Sequence, residues 1–469
     1  MSMGDDQIVW ATAAQLAEAI RMRKLTAAQT VRAILDRIDR LDARLGAFVT
    51  VLREEAIQAA AAADDAQAGG LPLGPLHGVP VSIKDIIYTK DVRTTAGSFV
   101  FENFVPDADA IVVERLKAAG AIVVGKTATP EFCHKTVTDS PLLGTTRNPW
   151  DLSRTTAGSS GGSAAAVASG LGPVSVGTDG GGSIRLPASL CGVVGFKPST
   201  GRVPQYPGFE GWDFLGHTGP FARTVGDIRV VMDVIAGPDV RDPASLYAPD
   251  RISGTRDPSE LRVAVARSLN HLEPEQDVAA GLELAIEAAR ALGCQPAERR
   301  ISWTDPDLQF RVIVATELAA ALKRYLPEEE ARMDRGLVKM LHFGASQTGT
   351  ALVRALEWKR SFTREVLGWF ADVDLLLLPT SPVSAFSADI IGPTTIAGRS
   401  TSPYEWFSWT WPFNITGQPA ISLPVWGDNR LPVGLQIVGR PGADDLVIDF
   451  AAALESRFGA AGTSRTPPL

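Results

Sequence analysis

Apolar positions recur along the chain with two periods, and they alternate. Near the start, Thr12-Ala-Ala-Gln15 and Thr26-Ala-Ala-Gln29 each have the form of a capping box, in which a threonine and a glutamine three residues on satisfy the first free N–H groups of a helix. The second opens a helical face built from Val31, Ile34, Leu35, Ile38 and Leu41. An alanine-rich helix is predicted over 53–68, stopped by Gly69-Gly70. The period then drops to two: Val79, Val81 and Ile83 alternate with Pro80, Ser82 and Lys84, which predicts a strand with Lys84 on the face opposite its apolar neighbours. Ile86 and Ile87 follow at once, so partial burial of this lysine is expected, and burial lowers a lysine pKa toward the range of a base.

The alternation continues to the end. A helix through Val112, Val113 and Leu116 leads into a strand at 121–124; a helical turn and a strand follow Arg185; Thr224 caps a helix that runs to Ile235. A strand is predicted at 261–265, long helices over 276–292, 306–325 and 346–370, and strands at 374–379, 420–425 and 433–438, before a last helix at 443–457. Asp374-Leu-Leu-Leu-Leu-Pro379 is apolar without alternation, as in a sheet covered on both faces. Interleaved strands and helices with no polar linker predict one α/β domain over 1–469, with the helices of about 10–70 packed onto it. The stretch 239–259, rich in Pro, Asp, Arg and Ser, reads as a surface crossing between two lobes of that domain.

Composition narrows the function classes. In 469 residues, 45% hydrophobic and 21% charged, a core of ample size forms without disulfide staples. A net charge of −8 does not suggest a nucleic-acid surface. Three widely spaced cysteines, Cys133, Cys191 and Cys294, with no Cys-x-x-Cys pair, suit reduced thiols in the cytoplasm. The start lacks the basic and apolar regions of a secretory signal, and no run of about 18 apolar residues predicts a membrane span. The five histidines form no recognisable metal-binding spacing.

Two motifs match familiar patterns in the wrong context. Gly120-Ala-Ile-Val-Val-Gly-Lys-Thr127 has the spacing of a phosphate-binding loop, but a helix precedes its first glycine and its four intervening residues are a strand. Gly158-Ser-Ser-Gly-Gly162 fits a nucleophile elbow, but the polar segment 150–156 precedes it in place of an apolar strand. The densest glycine and serine clusters lie between Ala157 and Arg185, where Gly158, Gly161 and Gly162 are followed by Gly177, Gly180, Gly181 and Gly182. Ser183 ends the second cluster: a hydroxyl beside a row of backbone N–H donors is what acyl transfer requires.

With these pieces the chain resembles the amidase signature family. The matching elements are His77-Gly-Val-Pro-Val-Ser-Ile-Lys-Asp85, Gly125-Lys-Thr127 with Glu131-Phe132, Asn148-Pro149, Gly158-Ser-Ser-Gly-Gly-Ser163, Gly177 through Pro187, Gly195-Phe-Lys-Pro198, Pro412 through Ala420 and Leu431 through Gly439. The resemblance implies one α/β/α domain around a mixed sheet of about eleven strands. It implies a Ser–cisSer–Lys triad of Lys84, Ser159 and Ser183, with a cis peptide at Gly158–Ser159 and an oxyanion hole of the N–H groups of Gly180, Gly181, Gly182 and Ser183. Asp179 and Arg185 are expected to hold the loop, and Ser160, Ser163 and Thr178 to make loop hydrogen bonds. It also implies a carbon–nitrogen hydrolase acting on a small-molecule amide, with no metal or cofactor required; a homodimer is admitted, and charge and hydropathy leave no nucleic acid or membrane partner expected.

The family also contains the glutamine-hydrolysing subunit of a tRNA-dependent amidotransferase, whose acidic substrate-holding position falls here on Phe407. The segment Tyr404 through Phe413 is instead aromatic, either as core or as an apolar pocket wall, so Phe407, Trp409 and Trp411, together with Cys133, are the expected substrate contacts. Tyr206, Phe209, Trp212 and Phe214 are candidates to extend that wall from a loop. The expected substrate is an apolar or aryl amide, with esters or carbamates allowed. The alternatives are the glutamine-hydrolysing subunit and a silent binding subunit.

Overall fold

The computed structural model describes residues 3–252, 256–303, 307–426, 431–463 and 465–469. Its centre is a mixed sheet of eleven strands. In chain order these are β1 (Phe48–Val51), β2 (Pro80–Lys84), β3 (Ile122–Thr127), β4 (Val174–Thr178), β5 (Val194–Lys197), β6 (Thr218–Ala222), β7 (Val263–Val265), β8 (Ala297–Glu298), β9 (Leu375–Pro379), β10 (Ala420–Val425) and β11 (Val433–Gly439). Across the sheet they run β1-β3-β2-β4-β6-β5-β10-β11-β9-β7-β8. Every residue of β2, β3, β9, β10 and β11 is buried, so both faces of the sheet are covered, as the apolar run at 374–379 predicts.

The helix starts follow their caps. The Thr12 and Thr26 hydroxyls accept from Gln15 and Gln29 N–H at 3.1 and 3.0 Å, and each glutamine side chain accepts in return from the cap N–H at 2.9 Å. The alanine-rich helix spans Arg53–Ala68, and the three long helices appear as Gln276–Ala291, Asp307–Leu322 and Gly349–Gly368, the expected start of the second, 306, lying outside the described residues. A further helix, Arg335–Ala345, has no counterpart in the sequence-based expectation. The stretch 239–259 carries short 3-10 turns at Pro243–Tyr247 and the start of Pro258–Glu260, with 253–255 outside the described residues. Among the described residues, no helix is long and apolar enough to cross a membrane.

The topology brings three strand ends together. β2 pairs in parallel with β3 on one side and with β4 on the other, and Lys84 stands opposite Thr127. β6 runs antiparallel to β4, with its first residue, Thr218, opposite Thr178. Lys84, Thr127 and Thr178 therefore end three adjacent parallel strands on one edge of the sheet, where open α/β sheets place their ligands. Helix Gly161–Ala168 packs directly on these strands.

Its approach is closer than a side chain allows. A Cβ on Gly162 would lie 2.4 Å from Ala128 N and 2.6 Å from Ala47 O, both backbone atoms. The Gly162→Ala variant should lose about 1–3 kcal/mol through overpacking and should move Ser159 with the helix. A lowered midpoint in denaturant, together with slowed turnover, is the expected result.

Candidate active site

Lys84 is fully buried at the end of β2, beneath the hydroxyls of two neighbouring segments. Its Nζ donates to Ser159 Oγ at 2.6 Å and to Thr178 Oγ1 at 2.8 Å. The sequence pattern allowed only partial burial; full burial follows because both faces of the sheet are covered. Burial lowers the Lys84 pKa from its ordinary value, opposed in part by the Cys133 side chain and the Asp179 charge. The Gly158–Ser159 peptide is cis, as the family resemblance implies. Ser160 is turned away into the loop: its hydroxyl donates to Thr178 O at 3.0 Å and accepts from Thr178 N–H at 3.3 Å. Ser163 meets Thr127 Oγ1 at 2.7 Å.

Thr178 is the residue that sequence reasoning undervalued. Its backbone serves the loop as expected, but its side chain holds Lys84 and lines the cleft. The available signal was its place at the end of a short apolar run, opposite the strand that carries the lysine.

Ser183 sits at the end of a loop that a buried ion pair shapes. Asp179 Oδ1 accepts from Gly182 N–H at 2.7 Å, and Oδ2 accepts from Ile184 N–H at 3.1 Å. Arg185 meets the same carboxylate through Nε (3.0 Å) and Nη2 (2.9 Å). Its remaining N–H groups go to Thr410 O (2.8 Å), Gln436 Oε1 (2.7 Å) and Asn414 Oδ1 (2.6 Å). Burial by itself would raise the Asp179 pKa, but the Arg185 guanidinium overrides it and holds the group well below the usual carboxylate range.

This arrangement corrects one expectation. The Gly182 N–H is committed to Asp179 and is not available to an oxyanion. Among the described residues, the N–H groups of Gly180, Gly181 and Ser183 meet no acceptor. Gly182 is needed for its conformation instead: its φ is +126°, and a Cβ there would strike Thr410 Oγ1 at 2.2 Å.

Ser159, Thr178, Gly180 and Ser183 open on a cleft of about 680 Å³, its solvent-open part included. Ile86, Ile87, Ala110 and Val112 form one wall, Cys133 another, and the loop of Gln205, Pro207, Phe209, Trp212 and Asp213 a third. Cys133 is thus among the residues that line the cleft. Phe407, Trp409 and Trp411 do not line this cleft. Trp409 is fully buried, Trp411 packs against Phe310, Trp303 and Phe362, and Phe407 packs on Trp406. The tract is core because its backbone supports the Arg185 network: Thr410 O accepts from Arg185, and Trp409 O accepts from Gln436 at 2.9 Å. The aromatic wall comes from the loop, through Phe209 and Trp212, while Tyr206 and Phe214 are exposed. Among the described residues, no three His, Cys, Asp or Glu side chains gather as a metal ligand set.

Residues 29–448 match the Amidase family model. The chain is 36% identical to a glutamyl-tRNA(Gln) amidotransferase subunit of Moorella thermoacetica, over 96% of this chain and 97% of that protein. It is 35% identical to an acylamidase of Rhodococcus erythropolis, over 97% of each. The structure of a bacterial aryl acylamidase of the amidase signature family superposes with a TM-score of 0.86 and 27% identity, covering 96% of both chains. The chain belongs to the amidase family, has the amidase signature fold and is an amidohydrolase acting on carbon–nitrogen bonds.

Removing Arg185 leaves Asp179 buried and uncompensated. Arg185→Met should cost about 3–5 kcal/mol. Arg185→Lys keeps the charge but cannot reproduce five donors in one plane, so it should recover part of the stability without the loop geometry. Denaturation midpoints and the rate of Ser183 modification by a fluorophosphonate should separate these two effects.

Proposed function

We propose that this amidase hydrolyses amides with an apolar or aryl body through an acyl-enzyme on Ser183, with Ser159 relaying protons to neutral Lys84. The observation that carries the reading is the buried Lys84–Ser159 contact of 2.6 Å, opening on the cleft that Ser183 lines. Ser183 Oγ attacks the carbonyl carbon while its proton passes to Ser159, whose own proton passes to Lys84 Nζ. The N–H groups of Gly180, Gly181 and Ser183 face the developing oxyanion, an effect worth about 3–4 kcal/mol per well-placed donor. The C–N bond then breaks, and the proton returns from Lys84 through Ser159 to the leaving nitrogen. Water repeats the sequence to release the acid.

Ile86, Ile87, Val112, Phe209 and Trp212 support an apolar substrate body. Among the described residues, the lining offers no arginine or lysine for the carboxylate of free glutamine, which speaks for an acylamidase-like substrate over the glutamine-hydrolysing alternative. Esters and carbamates present the same carbonyl to Ser183. Three free cysteines, all buried, suit a reducing compartment, and we assign the protein to the cytoplasm.

A panel of aryl amides, aliphatic amides, esters, carbamates and glutamine tests the substrate reading. Aryl amides should give the highest kcat/KM; ammonia release from glutamine at a higher kcat/KM would replace this reading with the other. Ser183→Ala should retain less than about 1% of turnover and lose fluorophosphonate labelling, with an unchanged thermal midpoint.

The Lys84 shift sets the pH dependence. Its folded pKa is lowered, so the active neutral amine forms as pH rises through that value, and kcat/KM should fall on the acid side as the amine takes up a proton. The native state then lacks a proton that the unfolded chain retains. Burying Lys84 thus costs stability below the unfolded pKa, and the cost fades as pH rises toward it. Lys84→Met should abolish turnover and leave the midpoint at pH 7 equal or higher, with the difference shrinking at alkaline pH.

A further inference from the structure

Among the described residues, the cleft lining is apolar or neutral except at one position, Asp213. Asp213 is an exposed residue at the rim of the cleft; partial desolvation there raises the pKa of its carboxylate, and the nearby charges of Glu210 and Asp242 push it in the same direction. Asp242 is occupied in accepting the N–H groups of Gln205 (2.9 Å) and Ala244 (3.0 Å). The neighbouring Arg241 pairs with Asp239 and Glu114, at 2.9 and 2.7 Å. Among the described residues, no cation pairs with Asp213 or Glu210.

The residues on either side of Asp213 are anchored. The Phe214 N–H donates to Glu317 Oε1 at 3.0 Å, and the Phe214 carbonyl accepts from Lys359 Nζ at 2.6 Å. On the other side, Trp212 Nε1 donates to Phe132 O at 3.0 Å. Glu317 Oε2 is buried with no partner, and burial pushes the Glu317 pKa up to about 7. The Lys359 charge lies beside Glu317 and opposes that shift, so an ionised Glu317 is offset by this ammonium behind the loop.

We propose that Asp213 is a specificity-determining residue that receives an ammonium group of the substrate, so that the preferred amides join an apolar body to one cationic end. The proposal rests on the reading that this cleft binds the substrate. An ammonium placed there fills the one unmatched charge of the lining, while Trp212, Phe209 and Ile87 cover the hydrocarbon. A charge-assisted contact in a partly desolvated cleft discriminates strongly against a neutral isostere.

The test measures binding independently of turnover. Benzylammonium and benzyl alcohol are titrated calorimetrically into the wild-type protein, Asp213→Asn and Asp213→Glu at pH 8. The wild type should bind benzylammonium about tenfold or more tightly than the alcohol, Asp213→Asn should bring the ratio near one, and Asp213→Glu should keep most of it. Protection of Ser183 from a fluorophosphonate by benzylammonium should place that binding in the cleft. Equal binding of the two ligands by the wild type, failure to bind benzylammonium, or a preference that survives in Asp213→Asn overturns the proposal. Loss of amide turnover and of Ser183 labelling, with the ammonium preference intact, would instead overturn the hydrolytic reading of the site.

Discussion

The buried pair of Asp179 and Arg185 is the contact on which the site depends. Two charges taken fully out of water are tolerated only when their hydrogen-bonding capacity is met. Here all five guanidinium N–H groups have acceptors, and the carboxylate also gathers Gly182 N–H, Ile184 N–H and the Asn414 amide. Only a planar fork reaches a carboxylate, a backbone carbonyl and two side-chain amides from one centre. The pair folds the glycine-rich loop back on itself, with Ser183 at the end that opens on the cleft. It also ties that loop to the turn at Asn414 and to Gln436 of β11, distant segments that no local sequence signal connects.

A second constraint is the covering of the sheet on both faces, which buries three lysines at strand ends or near them. Lys126 donates to Thr89 and Thr94 at 3.0 Å each and also to Ile87 O, and burial lowers its pKa to about 8. Lys197 donates to Pro198 O at 2.9 Å, and burial lowers its pKa as well. Burial therefore does not single out the base. Lys84 differs in its partners: it meets two hydroxyls that open on the cleft Ser183 also lines, whereas Lys126 and Lys197 tie down loops.

How far the sequence could be read follows from where each signal resides. Capping boxes, the alanine-rich helix and the apolar run at 374–379 are local patterns, and the structure repeats them. The signal against a phosphate-binding loop at Gly120 is also local: Ile111–Ala118 is a helix and Ile122–Thr127 a strand. The strand Thr218–Ala222 is hidden in the sequence because Gly219 and Pro220 argue against a central strand; it is accommodated because pairing with β5 begins only at Phe221, beyond the proline. The aromatic tract at 404–413 is ambiguous for a different reason. Large aromatics serve equally as core or as pocket wall, and only the long-range bonds of Thr410 and Gln436 show that it backs the glycine-rich loop that carries Ser183.

The same division separates chemistry from specificity. Lys84 and Thr178 stand on strand ends and Ser183 on a loop fixed by a buried ion pair, so their geometry belongs to the scaffold. The cleft walls belong to irregular segments. Phe132 and Cys133 both hold left-handed backbone, with φ of +48° and +61°, which side-chain-bearing residues adopt only under constraint. The constraint is Glu131, fully buried, which accepts from Ser98 Oγ and from Asp334 N–H at 2.6 Å each. That turn points the Phe132 carbonyl at the Trp212 indole and sets Cys133 on the cleft. The two irregular walls are thus bonded to each other, and Cys133 is the point at which one of them reaches Lys84. Substitutions in either can reshape the cleft while Lys84, Ser159 and Ser183 stay where the sheet and the ion pair hold them.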